Sequence, residues 1–326
     1  MRLSVRLPFL RESWSRRSFL GASRVITHSS RPFVTAVAFL LVLISAATHA
    51  YWNFLLKRAG GTRAFIALAK TCEAIVFLPV FVVIAWQLPP GTLAAVAPFA
   101  LVATVLVLAS YATLGAAYQL GDLSFAYPVA RGAALVFLPP LGWFAFNERI
   151  GPIGLFAVGL IVIGVLAMQL PELTGLGLRA LGGRLRGAPT AVALLMALIL
   201  AVSTLWDKYS IRSVPLFTYF YAYTAATALC YLAWSLRGDG APALRVAWTS
   251  HRSSVIAVGV LNTVSYGLAL AALRTGGSTY VIGLRQLSIV GGVWLGASVL
   301  GERVDAPRRL GVALLMMGCG LMAVGR

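Results

Sequence analysis

Four ionisable residues stand inside long apolar runs of the sequence. Lys70 and Glu73 are three residues apart, and Arg131 and Arg285 each stand alone in a separate run. A spacing of three puts Lys70 and Glu73 on one face of a helix. A charged side chain at membrane depth costs roughly 2.5–3.5 kcal/mol or more, so such residues are candidates for function. Because arginine can hold a carboxylate or phosphate through two parallel hydrogen bonds, we expect Arg131 and Arg285 to contact an anionic group.

The same residues also have purely structural interpretations. Lys70 and Glu73 can form an internal ion pair that neutralises itself, and the two arginines can clamp backbone carbonyls or extend to the membrane interface. Further polar residues in or near the apolar runs could line a cavity or simply join helices by hydrogen bonds: His49, Asn53, Asn262, Tyr266, Tyr280 and Gln286. Five tyrosines fit interfacial belts as readily as a stacking site: Tyr111, Tyr118, Tyr219, Tyr221 and Tyr223.

Enzyme chemistry finds little support in the sequence. There is no HExxH motif, no paired catalytic carboxylates and no GxSxG elbow. Cys72, Cys230 and Cys319 are far apart within apolar runs, which fits neither a disulfide framework nor a metal site. We therefore expect no catalytic residues, no metal and no cofactor. Proton coupling is also poorly supported, because Glu73 is the only acid predicted to lie well inside a helix and Lys70 is expected to keep it ionised.

Composition indicates an all-α integral membrane protein. Of the 326 residues, 60% are apolar and 11% are charged, against about 25% charged in a soluble domain. The formal net charge of +18 comes from short loops and the N-terminal region, without the basic stripe and interleaved aromatics of a nucleic-acid surface. Nucleic acid is therefore not an expected partner, and the lipid bilayer is.

Ten apolar segments have the length and low charge of transmembrane helices. They are predicted at Phe33–Leu55, Ala64–Gln87, Leu93–Tyr118, Ser124–Phe146, Ile153–Leu170, Thr190–Trp206, Val214–Leu236, Ser254–Leu273, Thr279–Leu300 and Leu310–Val324. The longest connection, Pro171 to Pro189, divides the chain near its middle and is predicted as a loop. The predicted organisation is thus a tail (1–32), a first five-helix repeat (33–170), a linker (171–189) and a second five-helix repeat (190–326).

The N-terminal tail contains seven arginines, seven serines and a single acid. Ser15-Arg16-Arg17-Ser18-Phe19-Leu20 resembles a twin-arginine export signal, although Arg24 to Arg31 separate it from the first apolar run. An arginine- and serine-rich region also resembles an organellar transit peptide. We favour a plain cytoplasmic tail over both.

An internal repeat with a constant offset of 154 residues supports this division. The offset relates Ser124, Arg131 and Glu148-Arg149 to Ser278, Arg285 and Glu302-Arg303, and it relates Trp52-Asn53 to Trp206-Asp207. Five helices per repeat is an odd number, so the second repeat must enter the membrane from the opposite side. Inverted repeats of this kind build many secondary transporters, whose sites lie near the midplane.

The repeated motifs resemble EamA-type members of the drug/metabolite transporter superfamily. Ser124 to Arg131, followed by Asn147-Glu-Arg-Ile150, is similar to the signature of the fourth helix. Leu284 to Ser288, followed by Gly301-Glu-Arg-Val304, is similar to its ninth-helix counterpart, and Trp206-Asp207-Lys208 matches the end of the sixth helix. The resemblance covers residues 33–324 and implies ten helices around a central cavity, with helices five and ten outside it. Asn147 departs from the family pattern, which usually has glycine there.

The resemblance implies a secondary transporter of the inner membrane that exports or exchanges a small polar metabolite, such as an amino acid or organic anion. The expected substrate-binding residues are Arg131, Arg285, Lys70, Glu73, Asn53, Tyr266 and Gln286, and the expected structural motif residues are Glu148, Glu302, Trp52 and Trp206. A lipid-linked sugar flippase of the same fold and a membrane-embedded enzyme are the alternatives.

The two membrane sides carry twelve Lys/Arg each, so only the resemblance places the termini in the cytoplasm. One chain suffices to build the cavity.

Overall fold

The computed structural model describes residues 35–119 and 123–324, without the side chains of residues 114, 115, 117–119 and 123–127. The predicted tail, 1–32, lies outside the described residues. The secondary structure of the described residues is entirely helical. The helices are α1 (Ala36–Arg58), α2 (Arg63–Trp86), α3 (Thr92–Gln119), α4 (Leu123–Phe146), α5 (Pro152–Ala167), α6 (Gly175–Leu185), α7 (Ala188–Ser213), α8 (Leu216–Gly238), α9 (Gly240–Thr275), α10 (Ser278–Arg285), α11 (Leu287–Leu300) and α12 (Ala306–Val324).

The predicted ten-helix membrane architecture is confirmed. Eight spans are long and apolar enough to cross a bilayer, with α10 and α11 together forming one of them, Ser278–Leu300. The shorter apolar helix α5 and the 23-residue helix α8 complete the ten. Large apolar side chains such as Trp86, Phe144 and Trp294 are more than half exposed on the helix surfaces, as expected of helices surrounded by lipid.

Four details differ from the sequence prediction. The predicted loop between Pro171 and Pro189 contains α6. The eighth membrane helix is preceded by a further helical segment from Gly240, and the two join at a kink where His251 has non-helical backbone angles. The ninth is split at Gln286. The sixth, α7, continues to Ser213, because charged residues that suggested its end lie buried inside the protein.

Helix packing between the two halves follows the symmetry expected of inverted repeats. Helix α1 packs on α9 and on the ninth span, α10–α11, while its counterpart α7 packs on α3 and α4. Helix α2 packs on α8, its own counterpart, and α5 packs on α12. Exchanging the two halves therefore maps this set of contacts onto itself.

The helix ends after α4 and after α11 repeat the same local structure. Asn147 and Gly301, 154 residues apart, both adopt the left-handed backbone region, with φ of 53° and 67°. In the following residues, the Glu148 backbone N–H donates to Gly142 O and the Glu302 backbone N–H donates to Gly296 O. Asparagine tolerates this conformation better than most residues, which explains how Asn147 replaces the glycine usual in the family pattern.

Helices α5 and α12 approach each other closely through glycine. A Cβ atom on Gly311 would lie 2.5 Å from Gly164 O, and one on Gly318 would lie 2.8 Å from Ala157 O. Small residues at such crossings let membrane helices pack backbone to backbone.

Candidate functional site

The two arginines within membrane spans meet at one histidine. Arg131 Nη1 lies 2.6 Å from His49 Nε2, and Arg285 Nη2 lies 3.3 Å from His49 Nδ1. His49 and Arg285 are buried, and Arg131 is half-buried. The two guanidinium groups thus contact the two nitrogen atoms of one imidazole ring.

Three spans position this cluster. His49 lies on α1, Arg131 on α4 and Arg285 at the end of α10. At Gln286 the helix tightens locally: its backbone N–H donates to Gly283 O, three residues back, while its backbone angles stay helical (φ −64°, ψ −15°). The Gln286 side-chain amide donates to Arg131 O at 3.2 Å, and its Oε1 is buried with no hydrogen-bond partner among the described residues.

Serine hydroxyls surround the two guanidinium groups. Arg131 Nη2 lies 3.5 Å from Ser288 Oγ and Arg285 Nη2 lies 3.5 Å from Ser265 Oγ. The Ser265 hydroxyl also donates to Ser45 O at 2.9 Å, and the Ser45 hydroxyl donates to Ser265 O at 2.6 Å. These reciprocal bonds join α1 to α9 beside the arginines.

A buried carboxylate lies next to Arg285. Asp207 Oδ1 accepts the hydroxyl of Tyr219 at 2.6 Å, and Oδ2 accepts that of Tyr266 at 2.8 Å. The Arg285 guanidinium sits 5.1 Å from the centre of the Tyr266 ring, in cation–π geometry. Tyr266 thereby links the arginine to the acid. The cluster so far contains two guanidinium groups and one carboxylate.

Lys70 and Glu73 form the internal ion pair that their spacing suggests. Lys70 Nζ is 2.9 Å from Glu73 Oε2, and the glutamate, 2% exposed, also accepts hydrogen bonds from Asn262 Nδ2 at 3.0 and 3.1 Å and from Thr263 Oγ1 at 3.0 Å. The ion pair is joined to the arginine cluster through α9, because Asn262 and Tyr266 are one helical turn apart.

Aromatic side chains lie beside both clusters. Phe220 stacks on Tyr266 with ring centres 5.8 Å apart and also lines a narrow, mostly apolar cleft beside Glu73. Tyr219, Tyr221 and Tyr223 are buried in the same region. These three tyrosines therefore belong to the interior and not to an interfacial belt.

The remaining predicted site residue, Asn53, bonds within its own helix. Its side-chain amide donates to His49 O at 2.7 Å, one turn back along α1. It thus supports the backbone of the histidine that touches both arginines.

The two motif glutamates are each paired with a lysine from the other half. Glu148, after α4, accepts hydrogen bonds from Lys208 of α7 and from the Ser278 backbone N–H, the latter at 2.8 Å. Glu302, after α11, is 2.5 Å from Lys57 of α1. The Lys208 side chain is 2% exposed and that of Lys57 is 63% exposed, so the two cross-half ion pairs differ greatly in burial.

The two motif tryptophans pack on corresponding helices. Trp206 Nε1 donates to Phe99 O of α3 at 3.0 Å. Trp52 packs against a cluster that includes Phe65 of α2 and Val255 of α9. Because α3 and α9 are counterparts, the tryptophans take equivalent places in the two halves.

Comparison with known proteins agrees with the motifs and the fold. Residues 189–324 match the profile of the EamA-like transporter family. The second half of the chain is an EamA-like transporter domain. The matched residues include the second copies of the repeated motifs, so the match agrees with the resemblance that those motifs indicate. No curated protein matches the chain.

The fold of this chain is similar to that of a solved structure whose title is "Crystal structure of protein". The two are 14% identical, with a TM-score of 0.70 over 88% of this chain and 97% of the other. At this identity the likeness concerns the fold alone. The apolar spans and the family match together indicate a multi-pass membrane protein whose residues 189–324 are similar to a transporter family.

Two residues of the candidate site are absent from the substrate-binding residues predicted from the sequence. Asp207 was placed outside the membrane because α7 was predicted to end at Trp206, whereas the helix continues to Ser213. Glu73 is therefore not the only acid inside a membrane helix. His49 was noted among six polar residues but not selected, since no sequence signal places it between arginines that are 82 and 236 residues away.

Proposed function

We propose that this protein is a secondary transporter that exports or exchanges a small organic anion, or an amino acid with its carboxylate, by alternating access. One observation carries the proposal. Arg131 and Arg285 occupy equivalent positions of the two repeats and converge on His49 within the membrane domain. Buried charge is costly, so two cationic groups held this close together favour binding of an anion.

The charge balance of the cluster supports an anionic cargo. Asp207 is the carboxylate beside Arg285, and both of its oxygens already accept tyrosine hydroxyls. Glu73 is paired with Lys70. Arg131, Arg285 and Asp207 together sum to one positive charge, which a carboxylate or phosphate of the substrate would offset. A cationic or neutral drug gains nothing from this arrangement.

The residues proposed to take part have different roles. Arg131 and Arg285 hold the anionic group, Gln286 and Tyr266 shape the site beside them, and Asn53 supports His49. Lys70 and Glu73 belong to α2 and lie one turn of α9 away from Tyr266. They delimit the site on the α2 side. We further propose that the protein lies in the inner, cytoplasmic membrane with both termini in the cytoplasm, that one chain forms the cavity, and that transport requires no enzymatic step.

The test is transport by purified protein reconstituted into liposomes, with radiolabelled succinate and glutamate as the probes. Arg131→Lys and Arg285→Lys keep the charge but lose the two-pronged hydrogen bonding. Loss of one charge-assisted hydrogen bond, worth about 1.5–3 kcal/mol, should raise the KM by roughly 10- to 100-fold.

Arg149→Lys and Arg303→Lys are the matched controls. These arginines are related by the same repeat but are exposed at helix ends, so both variants should transport normally. If Arg131→Lys and Arg285→Lys also fold and transport as the wild type does, the arginines serve only helix packing and the proposed site is wrong.

A further inference from the structure

The contacts around His49 contain a mismatch of hydrogen-bond donors. A guanidinium group has only donors, whereas a neutral imidazole has one N–H and one lone pair. Arg131 approaches Nε2 at 2.6 Å and Arg285 approaches Nδ1 at 3.3 Å. One of these contacts can be a hydrogen bond, and the shorter one fits the lone pair. The other then sets an imidazole N–H against a guanidinium N–H, with no acceptor between them.

Charged and titratable groups on several helices lie around His49. Arg131 of α4 and Arg285 of α10 face the ring directly. Tyr266 of α9 lies against Arg285, and its hydroxyl donates a hydrogen bond to Asp207 of α7. The Lys70–Glu73 pair of α2 is neutral as a unit and contacts α9 one turn away. The ring thus faces two positive groups and no carboxylate directly.

An anion between the arginines would change what His49 can bind. Its oxygens would accept hydrogen bonds from both guanidinium groups and from the imidazole N–H. Arg131 would then have the anion as its acceptor, and the lone pair at Nε2 would be released. The negative charge would also offset the repulsion that a protonated imidazole meets from two arginines.

We infer that His49 takes up one proton when an anion binds between Arg131 and Arg285, so that the protein carries the anion and the proton together. This inference rests on the proposed function. The proton comes from water on the side to which the site is open and forms the N–H bond at Nε2. It returns to water on the other side after the anion has left, so the imidazole is regenerated. One proton with one monovalent anion makes an electroneutral cargo.

Thermodynamic linkage predicts the direction in which the Kd of the anion changes with pH. If anion binding favours proton binding, then proton binding favours anion binding by the same factor. Uptake of one proton per anion makes the Kd rise by roughly tenfold for each unit of increasing pH. The anion must itself remain fully ionised over the range tested, which pyruvate and sulfate do between about pH 6 and pH 8.

The experiment is isothermal titration calorimetry of the purified full-length protein with pyruvate and with sulfate. Each titration is repeated in two buffers of different ionisation enthalpy, because the difference in heat counts the protons taken up. The wild type should take up close to one proton per bound anion. His49→Gln, which offers one donor and one acceptor but does not titrate, should bind with an affinity that no longer depends on pH. His251→Gln, at the kink of α9, is the control and should behave as the wild type does.

The possible outcomes separate the inference from the proposed function. Anion binding by the wild type without proton uptake overturns the coupling and leaves the anion site standing. Proton uptake that persists in a folded His49→Gln variant assigns the proton to another group and overturns the role of His49. Binding of neither probe by the wild type overturns the anion site, and the coupling with it. The wild-type proton count decides the question even if His49→Gln fails to fold.

Discussion

Removing Lys70 and Glu73 singly and together should show that they act as one unit. The changes are Lys70→Met, Glu73→Gln and the double variant. In the protein, Glu73 receives one hydrogen bond from Lys70, two from Asn262 and one from Thr263. Glutamine retains an oxygen that accepts from Asn262 and Thr263, so the double variant removes the charges without removing the acceptor.

The structure fixes the rough size of each effect. Breaking a buried ion pair by removing one partner costs about 3–5 kcal/mol, and Lys70→Met belongs at the lower end, about 3 kcal/mol, because Asn262 and Thr263 still stabilise the carboxylate. Glu73→Gln should cost less, about 2 kcal/mol, because the Lys70 side chain is 15% exposed and keeps part of its hydration, so that the main loss is one hydrogen bond between charged groups. The double variant should cost about 2 kcal/mol, which leaves a coupling energy of about 3 kcal/mol.

The free energies of unfolding are measured by reversible denaturation with sodium dodecyl sulfate in mixed micelles. The exposed pair of Lys57 and Glu302 supplies the control cycle, Lys57→Met with Glu302→Gln, whose coupling should be below about 1 kcal/mol. A coupling energy for Lys70 and Glu73 no larger than that of the control pair would refute the reasoning, since burial would then have no effect on their interaction.

Three further predictions follow from the packing. Lys208→Met should lower the free energy of unfolding by about 3 kcal/mol, because this lysine is buried. Lys57→Met should lower it by less than about 1 kcal/mol, because Lys57 is exposed. Equal losses in the same denaturation assay would contradict this prediction. Gly311→Ala should cost about 1–3 kcal/mol by pressing against α5, whereas Gly320→Ala on the same helix meets nothing within 4 Å and should be neutral or slightly stabilising. Reporters fused to the two ends of the chain should report the same side of the membrane, and opposite sides would contradict the ten-helix count.

The membrane fold was largely predictable because its signals are local or strictly periodic. Apolar runs of about 20 residues mark the spans, and the constant offset of 154 residues identified the inverted halves. The errors came where polar residues occur inside spans. Asp207 and Lys208 suggested an early end to α7, yet their charges are satisfied by Tyr219, Tyr266 and Glu148 from other helices. Hydropathy along the chain contains no information about such partners.

The candidate site was predictable only in part, for a related reason. The cost of burying charge identified Arg131 and Arg285 individually, and the spacing of Lys70 and Glu73 predicted their pairing. That the two arginines converge on His49 depends on how α1, α4 and α10 pack. The hydrogen bond from the Gln286 side chain to Arg131 O depends on the same packing.

The twofold relation between the halves holds for the backbone and the arginines but not for the groups between them. The residue 154 positions after His49 is Ser203, and the counterpart of Asp207 is Asn53. Turning a bound molecule end over end would therefore exchange an imidazole for a hydroxyl and a carboxylate for an amide. If a substrate binds between the arginines as proposed, this asymmetry would give it one favoured orientation, which it would keep while the site opens first to one side of the membrane and then to the other.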